Sequence, residues 1–232
     1  MPTFVSVTAG RQQCAGGLML PRHRHRTGYM CLVLAGGYEE AGDHGRFRVT
    51  VGDVILHRPF EAHLDRFSMA GADTLNLGMD GWSEHPFALA RVADPDQIAR
   101  IAEQDPTEAR DMLIATVAPA GSGVTDWPDE LACSIRNDPN LNLGEWARTR
   151  DLAPATLSRG FRRVYEVTPT TFRAQTRARH AWRSIMRKHD PLSAIALESG
   201  FADQAHMTRA VHSLTGRTPA QWRGAKSNRF KT

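Results

Sequence analysis

The chain has 232 residues, room for two small domains or one larger one, and its net charge of +4 hides an asymmetry. Residues 1–138 carry 12 Arg/Lys against 19 Asp/Glu, whereas residues 139–232 carry 17 against 6, an excess that fits phosphate contact better than ordinary surface solvation. Cys14, Cys31 and Cys133 are widely spaced, odd in number and lack a CxxC spacing, which reads as reduced core or semi-buried thiols rather than a disulfide framework. The absence of a long apolar window and of a charged leader argues against membrane insertion, so a soluble cytoplasmic protein is expected.

Residues 1 to about 80 read as strands and turns. Met30–Leu34 is an apolar run ended by Gly36-Gly37. Phe47–Val51 alternates with period two into the turn signal Gly52-Asp53, Val54–Leu56 is the next strand, and Thr74–Leu77 is another. Such spacing suggests an antiparallel sandwich or small barrel. His23-Arg24-His25 with Gly36 downstream, and then Gly52-Asp53, Pro59 and His63, resemble the two motifs of a cupin. The resemblance implies an all-β cupin-like barrel or sandwich over residues 1–90, acting as a sensor. The strands counted are few for a full cupin, so others are missing or come from the N-terminus.

His23, His25 and His63 invite a metal reading, because imidazoles converging inside a barrel suit Zn or Fe. The cupin pattern also places a glutamate four or five residues after His25, where this chain has Tyr29 and Met30. Without it, His57 and Cys31 are the remaining candidates for a fourth ligand, and Arg22, Arg24 and Arg26 count against a cation if they lie close. A bound metal, a metal-free pocket and solvent-facing histidines all stay open. The expectation carried forward has no metal and no cofactor: a pocket lined by His23, His25, Tyr29, His57 and His63 for an anionic or hydrogen-bonding effector.

From Asp94 the apolar period becomes helical. Ile98, Ile101 and Ala102 form one stripe, and Ala109, Met112, Leu113 and Val117 a second. These segments could pack on the sheet, on the C-terminal domain or on a second subunit. Pro119–Asp126 is rich in Gly, Ser and Pro and reads as a linker. Residues 91–126 thus read as a helical and linker region, to which the family resemblance given below adds a role in dimerisation.

Asp129–Asn137 opens the C-terminal part as a helix. Leu143–Arg150 and a helix begun by Pro154 follow, then a long helix from Thr168-Pro169 to about Lys188 with Ala174, Arg177, Ala178, Ala181, Ile185 and Met186 as its inward or mixed stripe. Leu192–Ser199, a corner at Gly200 and a further polar helix repeat the theme. The two stretches match residue for residue: Trp146-Ala147 with Ile195-Ala196, Leu152 with Phe201, Leu157-Ser158-Arg159 with Met207-Thr208-Arg209, and Thr168-Pro169 with Thr218-Pro219. The offset grows from 49 to 50 across the turn. Two copies of a short helix, a corner and a polar second helix are a duplicated helix-turn-helix.

This tandem, above all G-F-A-D-Q-A-H-M-T-R and G-R-T-P-A-Q-W-R, resembles the DNA-binding domain of the AraC/XylS transcription regulators. The resemblance implies an all-α domain over residues 127–224, with two helix-turn-helix units joined by the long helix and a basic, poorly ordered tail at 225–232. In such a unit the second helix enters the major groove with its early exposed positions. Those are Ala155, Thr156, Ser158 and Arg159 in the first reader and Gln204, Ala205, His206, Thr208 and Arg209 in the second, with Leu157, Phe161, Met207 and Val211 as core. Arg162, Arg163, Arg173, Arg177 and Arg179 are candidates for phosphate or surface positions, with Arg163 taken as the phosphate contact of the first reader. His180, His189 and His212 read as capping or surface residues.

The resemblance implies a non-enzymatic, effector-responsive regulator, an activator ahead of a repressor. Its implied partners are double-stranded DNA, a small-molecule effector, a second copy in a homodimer, and RNA polymerase for an activator. Two alternatives stay open: a cupin metalloenzyme fused to a DNA-binding domain, and a scaffold whose C-terminal domain binds protein.

Overall fold

The computed structural model describes residues 3–79, 87–121 and 126–229. The chain divides into two compact units, Met1–Asp129 and Glu130–Thr232. Residues 122–125 of the expected linker lie outside the described residues.

The first unit is built on one sheet. Its elements in chain order are β1 (Thr3–Phe4), β2 (Gly10–Cys14), β3 (Met19–Arg24), β4 (Tyr29–Gly42), β5 (Gly45–Thr50), β6 (Asp53–His57), β7 (Ala62–Gly78), β8 (Leu89–Arg91), α1 (Pro95–Ala102), α2 (Pro106–Thr116) and β9 (Ala118–Pro119). The pairing path runs β1-β3-β7-β4-β6-β8-β9, with β2 on β7 and β5 on β4. Among the described residues the path does not rejoin itself, so the pairing gives an open sheet where a closed barrel was one expectation. The strands missing from the count do lie near the N-terminus, as β1 to β3.

Two long strands organise this sheet. Gly36-Gly37 does not end β4, which continues to Gly42, and the register against β7 slips between Val33 and Ala35 and again between Gly36 and Tyr38. Gly36 has φ +68, and a Cβ there would lie 2.1 Å from the carbonyl oxygen of Gly71. Only glycine permits both the left-handed backbone and that approach. The slip changes which residues face inward. Before it Tyr29, Cys31 and Val33 share one apolar cluster, and beyond it Tyr38 joins them.

The run Met30–Val33 is apolar at every position because β4 is covered on both sides. Met30 and Leu32 pack with Val54, Leu56, Leu75, Leu77, Ile98, Ala109 and Leu113, which places α1 and α2 on the sheet. Asp94 and Asp105 cap these helices, accepting from the backbone of Gln97 and of Thr107 and Glu108, with proline in each first turn. Ile101, Ala102, Met112 and Val117 pack beside the same cluster. Both stripes read in the sequence are therefore used on the sheet. Pro119, read as linker, pairs with Ala90 as the end strand of that sheet.

The second unit is helical: α3 (Trp127–Asn137), α4 (Leu143–Arg148), α5 (Pro154–Tyr165), α6 (Pro169–Arg187), α7 (Leu192–Glu198), α8 (Gln204–Thr215) and α9 (Pro219–Arg229). Phe161, Tyr165 and Phe172 form an aromatic cluster with ring centroids 4.7–5.5 Å apart. The inward stripe of α6 is Phe172, Thr176, Ala178, Arg179, Ala181, Trp182 and Ile185. It corrects the sequence reading at Ala174, which is exposed, and at Phe172, Thr176, Arg179 and Trp182, which that reading missed. The chain remains helical past Gly224 to Arg229, into the tail expected to lack order.

Candidate nucleic-acid interface and buried histidine cavity

The duplication is visible in the backbone. At the first corner the N–H of Leu152 donates to the carbonyl of Ala147 at 3.0 Å; at the second, Phe201 donates to Ala196 at 2.9 Å. The corner residue has positive φ in both copies, Asp151 at 52° and Gly200 at 76°. Each second helix ends on a left-handed residue, Glu166 or Gly216, whose N–H returns to the carbonyl of Arg162 or His212. The change of offset falls between Phe201 and the second helix. There Asp203 caps α8 with a side-chain bond to the N–H of His206, whereas Ala153 precedes Pro154 in α5 with no such bond. Ala153 and Asp203 hold equivalent cap positions, and only the aspartate has a side-chain acceptor to offer.

In α5 Leu157 and Phe161 are buried while Ala155, Thr156, Arg159, Arg162 and Arg163 are exposed and Ser158 is partly buried. In α8 Met207 and Val211 are buried; Gln204, Ala205, His206 and Arg209 are exposed and Thr208 partly so. The candidate reading residues thus share the outer face of each helix, opposite its core stripe.

The arginines of α6 have other partners. Arg173 donates to the carbonyl of Leu141 at 2.7 Å, and Arg177 donates to that of Gly200 at 3.0 Å. Arg179 is 3% exposed and donates to Thr176, so it is not a surface position. A guanidinium can satisfy the carbonyls that a helix end or corner leaves open, and the sequence did not distinguish this role from phosphate contact. Burial and neighbouring Arg183 and Arg179 push the His180 imidazole below its ordinary range, while His189 and His212 are exposed.

In the first unit His23, His25, Tyr29, His57 and His63 line one cavity of about 140 Å³, together with Cys31, Tyr38, Glu40 and Asp65. His23 and His63 are directly paired across β3 and β7, and Tyr29 and His57 across β4 and β6. The Nδ1 of His23 lies 2.9 Å from the Pro21 carbonyl and that of His25 lies 2.8 Å from the Val5 carbonyl. A carbonyl only accepts, so both Nδ1 atoms carry the proton and both neutral rings keep an Nε2 lone pair. Tyr29 Oη lies 3.3 Å from the Nε2 of His25.

Burial pushes His25 down to about 4, with the charge of His23 adding to it, and holds His57 and His63 well below the usual histidine range. The carboxyl of Glu40 is held well above its ordinary range by burial and by Asp65 and Glu61, and burial lifts Asp65 to about 8. Among the described residues the lining includes none of Arg22, Arg24 and Arg26. Arg22 pairs with Asp43, and Arg26 lies over the Phe4 ring. Cys31, raised to about 12 by burial, takes a hydrogen bond from Tyr38 and is a poor ligand as a thiol.

Glu40 was not singled out in the sequence. It lies fifteen residues beyond His25, and period-two counting from Tyr29 and Cys31 puts it on the wrong face. The bulge at Gly36-Gly37 reverses that parity and turns it into the cavity.

Residues 146–225 match a family model described as "Helix-turn-helix domain". The chain thus carries a helix-turn-helix domain over that range. No curated protein matches the chain. Among solved structures, ToxT from Vibrio cholerae is similar at 10% identity with a TM-score of 0.41, over 93% of this chain and 96% of that one. The C-terminal domain of AraT, a response regulator from Geobacillus stearothermophilus, is 20% identical with a TM-score of 0.42, over 45% of this chain and 88% of its own. The DNA-binding domain of AdpA in complex with a target DNA is 19% identical with a TM-score of 0.42, over 45% and 96%. These likenesses assign no residue here. No helix among the described residues is long and apolar enough to cross a membrane.

Proposed function

We propose that the protein is a sequence-specific DNA-binding transcription regulator of the AraC/XylS type, without catalytic activity, whose first unit takes an effector. The observation that carries the reading is the pair of matched corners, each followed by a helix with a buried apolar stripe and an exposed polar face. Such a helix docks in the major groove through its early outer positions. The first reader is Ala155, Thr156, Ser158 and Arg159, with Arg163 on phosphate; the second is Gln204, Ala205, His206, Thr208 and Arg209. Arg159 and Arg209 are suited to guanine, Gln204 to adenine, and the two alanines to a thymine methyl.

The excess of 17 Arg/Lys over 6 Asp/Glu in residues 139–232 favours DNA over a protein partner for this unit. With α6 as spacer, the two readers would meet successive major-groove segments about 34–36 Å apart. Activation through RNA polymerase, and action as a homodimer, follow from the resemblance alone. The testing experiment is selection of bound duplexes from a random pool, followed by affinity for single-base variants of the selected site. Recovery of no enriched sequence would sink the proposal.

A further inference from the structure

We propose that the first unit binds one divalent transition-metal ion of the zinc class through Glu40, His57 and His63. Donor atoms of these three buried residues lie within 4.8 Å of one another. They come from three strands, β4, β6 and β7, and so are positioned by sheet register. The Oε2 of Glu40 lies 3.6 Å from the Nε2 of His57. Metal–nitrogen bonds of about 2.0–2.1 Å put tetrahedral ligands roughly 3.3–3.4 Å apart, so this pair needs little movement.

Glu40 is the observation that points to a ligand. It is 4% exposed, and its Oε2 finds no hydrogen-bond partner among the described residues. It also stands directly opposite Asp65 in the β4–β7 pairing, and Asp65 is 6% exposed with its own unpartnered Oδ1. Two acids facing one another across strands repel, and burial makes each more costly to ionise. A cation beside Glu40 answers both costs. The arginines expected to oppose a cation are absent from the described cavity lining, and Arg22, whose charge does reach His63, is paired with the Asp43 carboxylate.

A second trio, His23, His25 and His63, also has donors within 4.8 Å and shares His63 with the first. The choice between them rests on charge: three neutral imidazoles leave a buried dication uncompensated, whereas the Glu40 set supplies an anion. Two imidazoles and one carboxylate select zinc-like ions over magnesium or calcium, which require oxygen ligands. His25, held by the Val5 carbonyl, and Tyr29 line the same cavity. The expectation of a metal-free cavity rested on the missing carboxylate beside His25; Glu40 brings one from farther along the chain.

The inference goes beyond the DNA reading, and its test uses no DNA. Tag-free full-length protein is stripped with a chelator, then titrated with Zn²⁺ against a chromophoric competitor and with Co²⁺ read by visible absorption. One ion per chain is expected, with Co²⁺ bands of a four- or five-coordinate site. Glu40→Gln, which keeps the side-chain volume, and His57→Ala should each weaken Zn²⁺ binding by at least about tenfold. His23→Ala should leave it unchanged. Should His57→Ala fail to fold by circular dichroism, Glu40→Gln decides. Three results would overturn the proposal: no stoichiometric uptake, unweakened binding by Glu40→Gln, or loss of binding on His23→Ala with none on His57→Ala.

Discussion

Glu166 closes α5 with the same left-handed turn with which Gly216 closes α8, at φ 56° and 78°. The two occupy equivalent places in the duplication, and each N–H returns to the carbonyl four residues earlier. A residue with a Cβ pays about 1 kcal/mol or more for that conformation, which glycine adopts freely. Glu166→Gly should therefore stabilise the second unit by roughly 0.5–1 kcal/mol, and Gly216→Ala should destabilise it by a similar amount. Urea unfolding of each variant measures both; equal midpoints for all three proteins would mean that the turns carry no strain.

Arg159 and Arg209 hold matched, exposed positions one turn inside α5 and α8. Replacing either by alanine should relax preference at its own cluster of bases by about 1–3 kcal/mol, with non-specific affinity reduced much less. Arg163→Ala should weaken all duplexes nearly equally. Affinities for single-base variants at fixed salt separate the cases, and a uniform loss with Arg209→Ala would move that residue to the backbone.

Arg177 donates to the carbonyl of Gly200, at the corner of the second helix-turn-helix. Its removal should cost stability, about 1–3 kcal/mol for a bond from a charged donor, while leaving the salt dependence of DNA binding unchanged. Thermal unfolding and a salt titration of the same variant check this. A lower salt slope with no loss of stability would assign Arg177 to phosphate.

Burial lifts the Asp65 carboxyl to about 8 in the folded, metal-free protein, from 3.8 ordinarily. Between those values the folded state holds a proton that the unfolded state has lost, so stability falls as pH rises through the window. The buried histidines act on the acid side, because their lowered values withdraw stability as pH drops below about 6.5. Above pH 7 the raised carboxyls of Asp65 and Glu40 are the groups that matter, and removing one of them takes away part of the fall. In chelator, Asp65→Asn should lose less stability than the parent between pH 7 and 9, measured by urea unfolding. Parallel curves would show that Asp65 ionises normally.

The duplication was legible because both copies bury the same positions: Ala147 and Ala196, Phe161 and Val211, Pro169 and Pro219. The corners were half legible. Gly200 and Gly216 announce their turns, whereas Asp151 and Glu166 adopt the same backbone without a glycine to signal it. In the sheet, alternation identified Phe47–Val51 and the cupin-like motifs drew attention to the histidines, but alternation fails across a bulge. Glu40 is inward only because Gly36 bends β4, a long-range consequence of its contact with Gly71. Arg179 was misplaced for a related reason, since helical periodicity gives an angle but not what packs over it.

The most direct test of the account is the salt dependence of duplex binding by purified full-length protein, measured for the selected site and for a scrambled duplex of equal length. Log affinity should fall linearly with log salt for both, with a slope near −0.9 per phosphate contacted. The selected site should be bound at least about 10³-fold tighter at physiological salt. Equal affinity for the two duplexes, or binding indifferent to salt, would contradict sequence reading by α5 and α8.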